Sequence, residues 1–283
     1  MAQAKETNKK PSGRKRPSAR RSSSPRRKQR AVPRLRYITI AIVFSAAMIA
    51  IAYYPILRPA FRRFTNCSGH YYYGACIPKG YSIYGIDVSH HQGHINWKRV
   101  KKGNPQEPPI TFAYMKATEG SSHSDTRFEE NWSAAKTHGF IRGAYHYFST
   151  KTPGEVQAKM FISKVELEPG DLPPMVDVED EPANKEAFRE ELKKFIEIVE
   201  AHYKVKPIIY TYSKFKKRHI EHEAFSGYPI WIARYNAKDP GIENDGWIIW
   251  QCNRKGRIPG IGNDVDINVF NGSNRELKEL LIK

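Results

Sequence analysis

One apolar stretch of the chain, PPMVDVEDEP (residues 173–182), ends in acids. Asp177 and Glu179 follow Val176, in what the pattern predicts to be a buried strand. Burying a carboxylate is costly unless it is paired or neutralised, so acids in this position need a purpose. Alternate side chains of a strand point to the same face, and Asp177 and Glu179 therefore project together. The spacing predicts a carboxylate pair at one strand end.

Two further acids stand near other strand-like runs, Asp87 in GIDVS and Asp266 in VDINVF. If the chain closes into a barrel in which the first and last strands are neighbours, both acids flank the same opening as Asp177 and Glu179. Clustered carboxylates cannot all ionise at their ordinary pKa, so one of them keeps a proton near neutrality. Glycosidic bond cleavage uses such a set, with one protonated acid and one carboxylate beside the cationic centre.

Two other interpretations fit the acids taken alone. Acid clusters also hold Ca²⁺ or Mg²⁺. In a purely structural interpretation, Asp180 and Glu181 are solvated loop acids and Asp177 caps a turn. The run HHQGH (90–94) is predicted to lie in a loop and lacks the helical i,i+4 spacing of a zinc site. We therefore expect no metal and no other cofactor.

Aromatic residues favour the carbohydrate interpretation. Sugar rings pack their C–H faces on aromatic planes, while polar groups fix their orientation. Each aromatic residue alone fits a core equally well, but several near strand ends, beside the acids, predict a groove for a glycan. The residues concerned are Tyr147, Tyr210, Tyr212, Trp231, Tyr235 and Trp250.

After residue 80 the chain alternates between strand-like and helix-like segments, which indicates parallel βαβ units. The fold class predicted for residues 81–283 is α/β, a short and irregular (β/α) TIM-like barrel. An open doubly wound sheet is the alternative, but no Gly-x-Gly-x-x-Gly follows a strand. Capping boxes are predicted at Thr126 and Thr152. The predicted strands are 81–89, 110–118, 140–149, 174–179, 207–212, 228–235, 246–252 and 264–270, and the predicted helices are 126–138, 152–165, 184–204 and 275–282.

The first 36 residues carry most of the chain's basic character, with a formal charge of +13 out of +18. Residues 1–36 are rich in Ser, Pro and Arg and have almost no apolar side chains, so they predict a disordered basic tail on the cytoplasmic side. The remaining 247 residues carry only +5. No nucleic-acid partner is expected for the globular part.

Residues 37–57 contain no charge over 21 positions, about the length that spans a bilayer as a helix. With the basic tail before it, this run predicts a single-pass membrane anchor and places the rest of the chain outside the cytoplasm. Residues 58–80 then form a juxtamembrane connector. A signal peptide cleaved after Ala52 is the alternative; it is disfavoured because the basic region before the apolar run is long.

Three cysteines are present, and an exported compartment permits disulfides. Cys67 and Cys76 flank a loop short enough to close, so we expect them to be bonded to each other. Cys252 remains as a small buried residue. The spacing matches no zinc motif.

Several motifs occur together in one order from Tyr84 to Gly272, and the chain resembles glycoside hydrolase family 25, the muramidases that cleave peptidoglycan. The motifs are YGIDVSHHQGHINW, FAYMKATEG followed by DTRFEENW, GAYHYF, LPPMVDVE, PIIYTY, PIWIARY, and WIIWQC followed by GIGNDVDINVFNG. The order of the whole set carries the resemblance, since each motif alone is weak. It implies a short, irregular α/β barrel.

The resemblance also implies hydrolysis of the β-1,4 bond between N-acetylmuramic acid and N-acetylglucosamine. It makes Glu179 the general acid and Asp177 the residue that stabilises an intermediate formed by the sugar's own acetamido group, a departure from double displacement. Asp87 and Asp266 then line the site. The remaining matching positions of the groove are Glu119, Tyr147, Trp231, Tyr235 and Gln251.

The chain departs from the family pattern at two positions. Asn96 stands where an acid is frequent, and Cys252 stands where an aromatic residue is common. The four key acids are all present. The expected partners are peptidoglycan glycan strands and, through the N-terminal helix, a membrane. A non-catalytic glycan-binding scaffold is the rival interpretation, and activity on chitin-like polymers is a second one.

Overall fold

A computed structural model describes residues 34–65, 67, 69–235, 237–242 and 246–283 of the chain. The chain divides into two compact units, Met1–Ile56 and Leu57–Lys283. The predicted basic tail lies outside the described residues up to residue 33.

Helix α1 (Arg34–Thr65) covers the run predicted to be a membrane anchor. The large apolar side chains described between Tyr37 and Tyr53 are exposed. No helix within the described part of the chain combines the length and the apolarity needed to cross a bilayer. The described residues give no support to the anchor predicted at residues 37–57.

The second unit contains the remaining elements. The strands are β1 (His70–Tyr72), β2 (Ala75–Ile77), β3 (Tyr84–Val88), β4 (Ile110–Glu119), β5 (His123–Ser124), β6 (Ile141–Tyr147), β7 (Met175–Asp177), β8 (Ile208–Tyr212), β9 (Ile230–Ala233), β10 (Trp247–Gly256) and β11 (Val265–Phe270). The helices are α2 (Trp97–Lys102), α3 (Phe128–Thr137), α4 (Gly154–Ile162), α5 (Lys185–Tyr203), α6 (Ser213–Phe215) and α7 (Asn274–Leu280).

Eight strands close a barrel in the order β3, β11, β10, β9, β8, β7, β6 and β4, with β4 pairing back to β3. Neighbours from β3 through β4, β6, β7, β8 and β9 to β10 are parallel. Strand β11 runs antiparallel to both β10 and β3. The predicted barrel is confirmed as a mixed eight-stranded barrel with helices, in which the last strand is reversed.

The reversed direction of β11 follows from the connection before it. Only residues 257–264 separate β10 from β11, whereas a parallel connection needs a crossover of about a dozen residues or more. The chain must therefore return antiparallel. As a result, the start of β11 lies at the same rim as the carboxyl ends of the other strands, and Asp266 pairs with Asp87.

Aromatic rings fill the barrel interior, and two glycines make room for them. Phe112 and Tyr114 are fully buried on β4. A Cβ atom on Gly85 would lie 2.2 Å from the Phe112 ring, and one on Gly143 would lie 2.3 Å from the Tyr114 ring. The Tyr114 hydroxyl also donates to the Pro173 carbonyl at 2.9 Å. The Tyr114 ring is therefore held in place and cannot move away from a Cβ atom on Gly143.

Helix α5 covers the outside of the barrel with the apolar face that its sequence predicts. The buried side chains on this face are Phe188, Leu192, Phe195, Ile196 and Val199.

Both predicted capping boxes are wrong. Asp125, not Thr126, accepts from the backbone at the start of α3, through the Arg127 N–H at 2.9 Å. The Thr152 hydroxyl has no hydrogen-bond partner in the described structure.

A small hairpin of β1 and β2 precedes the barrel. Cys67 and Cys76 are joined by a disulfide with Cα atoms 5.4 Å apart, the pair expected from the sequence. The Tyr73 N–H donates to Glu107 Oε1 at 2.6 Å, and the Arg257 N–H donates to the Tyr73 carbonyl at 2.6 Å. These bonds fix the hairpin to the loop before β4 and to the residue after β10. Cys252 is a buried free thiol.

We predict that Gly143→Ala destabilises the chain by about 1–3 kcal/mol, because the new methyl group overlaps a fixed ring. Urea unfolding followed by fluorescence measures the loss. Gly262→Ala is the matched control, since a Cβ atom there meets nothing within 4 Å. Equal stability of the two variants would contradict the proposed packing.

Candidate active site

An acidic cleft opens at the barrel rim where the carboxyl ends of the parallel strands meet the start of β11. All four predicted acids, Asp87, Asp177, Glu179 and Asp266, line this cleft. They come from strands that are distant in sequence, and the closed barrel brings them together. The convergence predicted from the sequence is therefore present in the structure.

Strand β7 places the first pair of acids. Met175 and Asp177 both line the cleft, while Val176 packs in the outer core, as strand alternation requires. Asp177 is 9% exposed, and its Oδ1 has no hydrogen-bond partner in the described structure. Burial, helped by the charges of Glu179 and Asp87, raises the pKa of Asp177 well above its ordinary value.

Asp87 is the best-satisfied acid of the cleft. Its Oδ2 accepts from Asn268 Nδ2 at 2.7 Å and from Gln251 Nε2 at 2.9 Å. Burial raises the pKa of Asp87 to about 6, while these two hydrogen bonds favour the charged form and oppose the rise. The two amides therefore fix the position of this carboxyl group.

Two tyrosines orient the amide of Gln251. The hydroxyls of Tyr210 and Tyr235 both donate to Gln251 Oε1 at 2.7 Å. The oxygen of the amide is thus occupied, and its NH₂ group faces Asp87. Tyr210, Tyr235 and Gln251 line the cleft, as does Tyr147, so these four predicted groove residues meet at one place.

Trp231 does not belong to the groove. It is fully buried within the barrel, and its Nε1 donates to Asn268 Oδ1 at 3.0 Å. Trp231 thereby orients the Asn268 side chain that binds Asp87. The sequence reasoning missed Asn268, although it stands two positions after Asp266 and therefore on the same strand face. Trp250 is also fully buried.

Glu119, predicted as a groove residue, is likewise not among the residues that line the cleft. Glu119 Oε2 lies 2.6 Å from Lys116 Nζ, and it is Lys116 that lines the cleft. Lys116 Nζ also lies 4.8 Å from the centre of the Tyr147 ring. The sequence reasoning missed this buried cation, which stands two residues after Tyr114 on the inward face of β4. Its charge opposes the rise in the pKa of Asp177 that burial causes.

The histidine run after β3 forms a turn. Ser89 and Gln92 make a reciprocal capping box, and His90 Nδ1 lies 2.7 Å from Asp125 Oδ2. This turn ties the end of β3 to the start of α3. Among the described residues, no three His, Cys, Asp or Glu side chains are grouped so that they could hold a metal ion.

The remaining two acids share the same cleft. Burial raises the pKa of Asp266 to about 8, and the charges of Asp87 and Glu179 add to the rise. Burial also raises the pKa of Glu179, with Asp180 adding to the effect and the Tyr210 hydroxyl opposing it. The cleft therefore holds protons near neutrality next to acids that can ionise. This is the state that general acid catalysis needs.

Carboxyl groups clustered at the rim of a barrel are an arrangement that glycosidases use. Residues 86–261 match the family described as glycosyl hydrolases family 25. The chain belongs to this family, and it is a glycosidase.

Two of the three relatives compared below are described as lysozymes. The chain is 38% identical over 203 residues to a protein of Escherichia coli K12 described as "Uncharacterized protein YegX", covering 71% of this chain and 74% of that one. It is 33% identical over 215 residues to Lysozyme M1 of Streptomyces globisporus, covering 70% of this chain and 71% of that one. The crystal structure of a bacterial lysozyme from Streptomyces coelicolor matches with a TM-score of 0.64 and 32% identity, covering 71% of this chain and 97% of that one.

We predict that the free energy of unfolding falls as the pH rises toward 8. The folded chain keeps a proton on Asp266 that the unfolded chain releases from about pH 4 upward. This contribution is fully present below the ordinary pKa of aspartate and is lost as the pH rises through about 8. Asp266→Asn stays neutral and should reduce the fall. Urea unfolding at pH 5, 7 and 9 measures it.

The control for this experiment is Glu279→Gln, which removes an exposed acid on α7. It should keep the pH dependence of the wild type. A fall in stability that is equally steep in the wild type and in Asp266→Asn would contradict the raised pKa of this acid.

Proposed function

We propose that this chain is a muramidase that hydrolyses the β-1,4 bond between N-acetylmuramic acid and N-acetylglucosamine in peptidoglycan. The observation that carries the proposal is the placing of Asp177 and Glu179 together in the acidic cleft, at the end of a barrel strand. The lysozymes to which the chain is similar support it.

Glu179 acts as the general acid. Burial raises its pKa and so favours the protonated carboxyl group, whose proton passes to the leaving glycosidic oxygen. A carboxyl group at the ordinary pKa of glutamate would already have lost that proton at neutral pH. The same group then takes a proton from the attacking water.

Asp177 stabilises the intermediate formed by the sugar's own acetamido group. The acetamido oxygen attacks the anomeric carbon as the bond to the leaving oxygen breaks, and the ring so formed carries positive charge. The Oδ1 atom of Asp177 has no hydrogen-bond partner and is able to accept the acetamido N–H. By accepting this hydrogen bond, Oδ1 stabilises the positive charge without a proton leaving Asp177.

The other cleft residues bind and orient the glycan. Tyr147 and Tyr235 offer aromatic surface at the rim, and Asp87 and Asp266 offer oxygen atoms to sugar hydroxyl and amide groups. The Cys67–Cys76 disulfide favours an oxidising compartment, in keeping with a wall polymer as substrate. We infer that the domain acts outside the cytoplasm on peptidoglycan strands.

We predict that Glu179→Gln lowers the rate of peptidoglycan cleavage by at least about 10²-fold, because the amide has no proton to give. Binding of the glycan should persist, since the amide keeps the shape of the side chain. The full chain and the variant are incubated with isolated peptidoglycan, and the reduced products are identified by mass spectrometry. Glu279→Gln is the charge-matched control and should cleave like the wild type.

New reducing ends on N-acetylmuramic acid, lost in Glu179→Gln, are the expected result. Reducing ends on N-acetylglucosamine would keep the hydrolase but contradict the proposed bond. Cleavage of chitin-like polymers in place of peptidoglycan would contradict the substrate. Glycan binding without any product from the wild type would indicate a non-catalytic scaffold.

A further inference from the structure

The loop that follows Glu179 is fastened to the barrel on two sides. The backbone of Val178 pairs with β8, since its N–H donates to the Tyr210 carbonyl at 2.9 Å and its carbonyl accepts from Thr211 Oγ1 at 2.7 Å. Asp180 Oδ1 accepts from the Tyr147 hydroxyl at 2.9 Å. These contacts hold the residues on both sides of Glu179.

Glu181 makes the most extensive contact of this loop. Its carboxylate accepts from His219 Nε2 at 3.0 Å and from the Tyr212 hydroxyl at 3.3 Å, and it forms an ion pair with Arg218. Three donors, one at the end of β8 and two in the segment after it, therefore converge on one carboxylate. Such charge-assisted hydrogen bonds are stronger than neutral ones.

The buried imidazole of His219 depends on Glu181 for its hydrogen bond. The imidazole is 2% exposed and packs against the ring of Phe215, with ring centres 4.4 Å apart. Its Nδ1 has no hydrogen-bond partner in the described structure, so Glu181 receives the ring's one described polar contact. A carboxylate oxygen can only accept, and Nε2 is therefore the donor. If Glu181 moved away, both ring nitrogens would be buried without a partner, which is costly.

The backbone that presents these donors is unusual. Arg218 and His219 lie in a π-helical turn, Lys216–Ile220, closed by the Glu221 N–H donating to the Lys216 carbonyl at 2.9 Å. π-turns are rare and frequently occur at functional sites. Here the turn directs two successive side chains toward the same carboxylate.

We propose that Glu181, held by Arg218 and His219, is a positioning residue that fixes the loop carrying Glu179 so that the general acid stays within the cleft. This inference rests on the muramidase function proposed above. Asp180 and Glu181 then have a role beyond that of solvated loop acids, because their contacts hold the segment that contains Glu179.

A loosened loop has a defined electrostatic consequence. Glu179 would gain contact with water, the burial that raises its pKa would weaken, and the general acid would lose its proton at a lower pH. The substitution itself leaves the other ionisable groups around Glu179 in place. They are Asp87, His91, Lys116, Tyr147, Asp177, Asp180, Tyr210, Tyr235 and Asp266.

We predict that Glu181→Ala lowers kcat about tenfold or more, since a small misplacement of a catalytic group is costly. KM should stay within about twofold, because the residues that bind the glycan are untouched. The alkaline limb of the kcat–pH profile should move to lower pH. Glu181→Gln should recover most of kcat, because its amide oxygen still accepts from His219. The assay uses the full chain on peptidoglycan.

Arg218→Ala provides an independent test, because Arg218 is half exposed and its loss leaves the core intact. It should reproduce the lower kcat and the shifted limb in milder form. The control is Glu279→Ala, which breaks the exposed pair with Arg275 on α7 and should leave both readouts unchanged. Thermal unfolding of each variant gives the folded fraction.

Wild-type kcat and pH profile in Glu181→Ala would overturn the inference. A lower kcat that follows the folded fraction, with the alkaline limb in place, would also overturn it, because that result indicates a purely structural role. If the wild type releases no product, the proposed muramidase function fails, and the inference fails with it. An active wild type beside an unaffected Glu181→Ala overturns the inference alone.

Discussion

The antiparallel pairing of β11 with β3 is the contact on which the cleft depends. It closes the barrel, and it places Asp266 opposite Asp87 at the rim where the parallel strands end. Were β11 parallel, its first residues would lie at the opposite end of the barrel and Asp266 would leave the cleft. The short connection from β10 enforces the antiparallel direction, so a constraint on chain length determines which acids meet.

The buried carboxyl groups of the cleft need hydrogen-bond partners inside the barrel. A chain of hydrogen bonds runs from Trp231 through Asn268 to Asp87, and a second runs from Tyr210 through Gln251 to the same carboxyl group. Buried polar groups are stable only when such networks are complete. The incomplete position is Asp177, whose Oδ1 lacks a partner in the described structure. We interpret that open position as the one that the substrate fills.

The sequence predicted the strands, the barrel and the four acids because alternation and strand-end position are local patterns. It did not predict how deep in the barrel each side chain on a strand lies. Trp231 and Tyr235 both follow the pattern of groove residues, but Trp231 lies deeper in the barrel, beside Tyr210 on the next strand, and its ring is enclosed. The role of Asn268 could not be read for the same reason, since its partners come from other strands. The capping box at Thr126 failed because Asp125 accepts from the Arg127 N–H and also from the His90 N–H, a contact between segments distant in sequence.

The most direct test of the account is the titration of Glu179 itself. Infrared difference spectra of the wild type minus Glu179→Gln isolate this one carboxyl group over a range of pH. The account predicts that Glu179 keeps its proton above the ordinary range for glutamate, because burial and Asp180 disfavour its charge. A Glu179 that ionises at or below its ordinary pKa would contradict the assignment of this residue as the general acid.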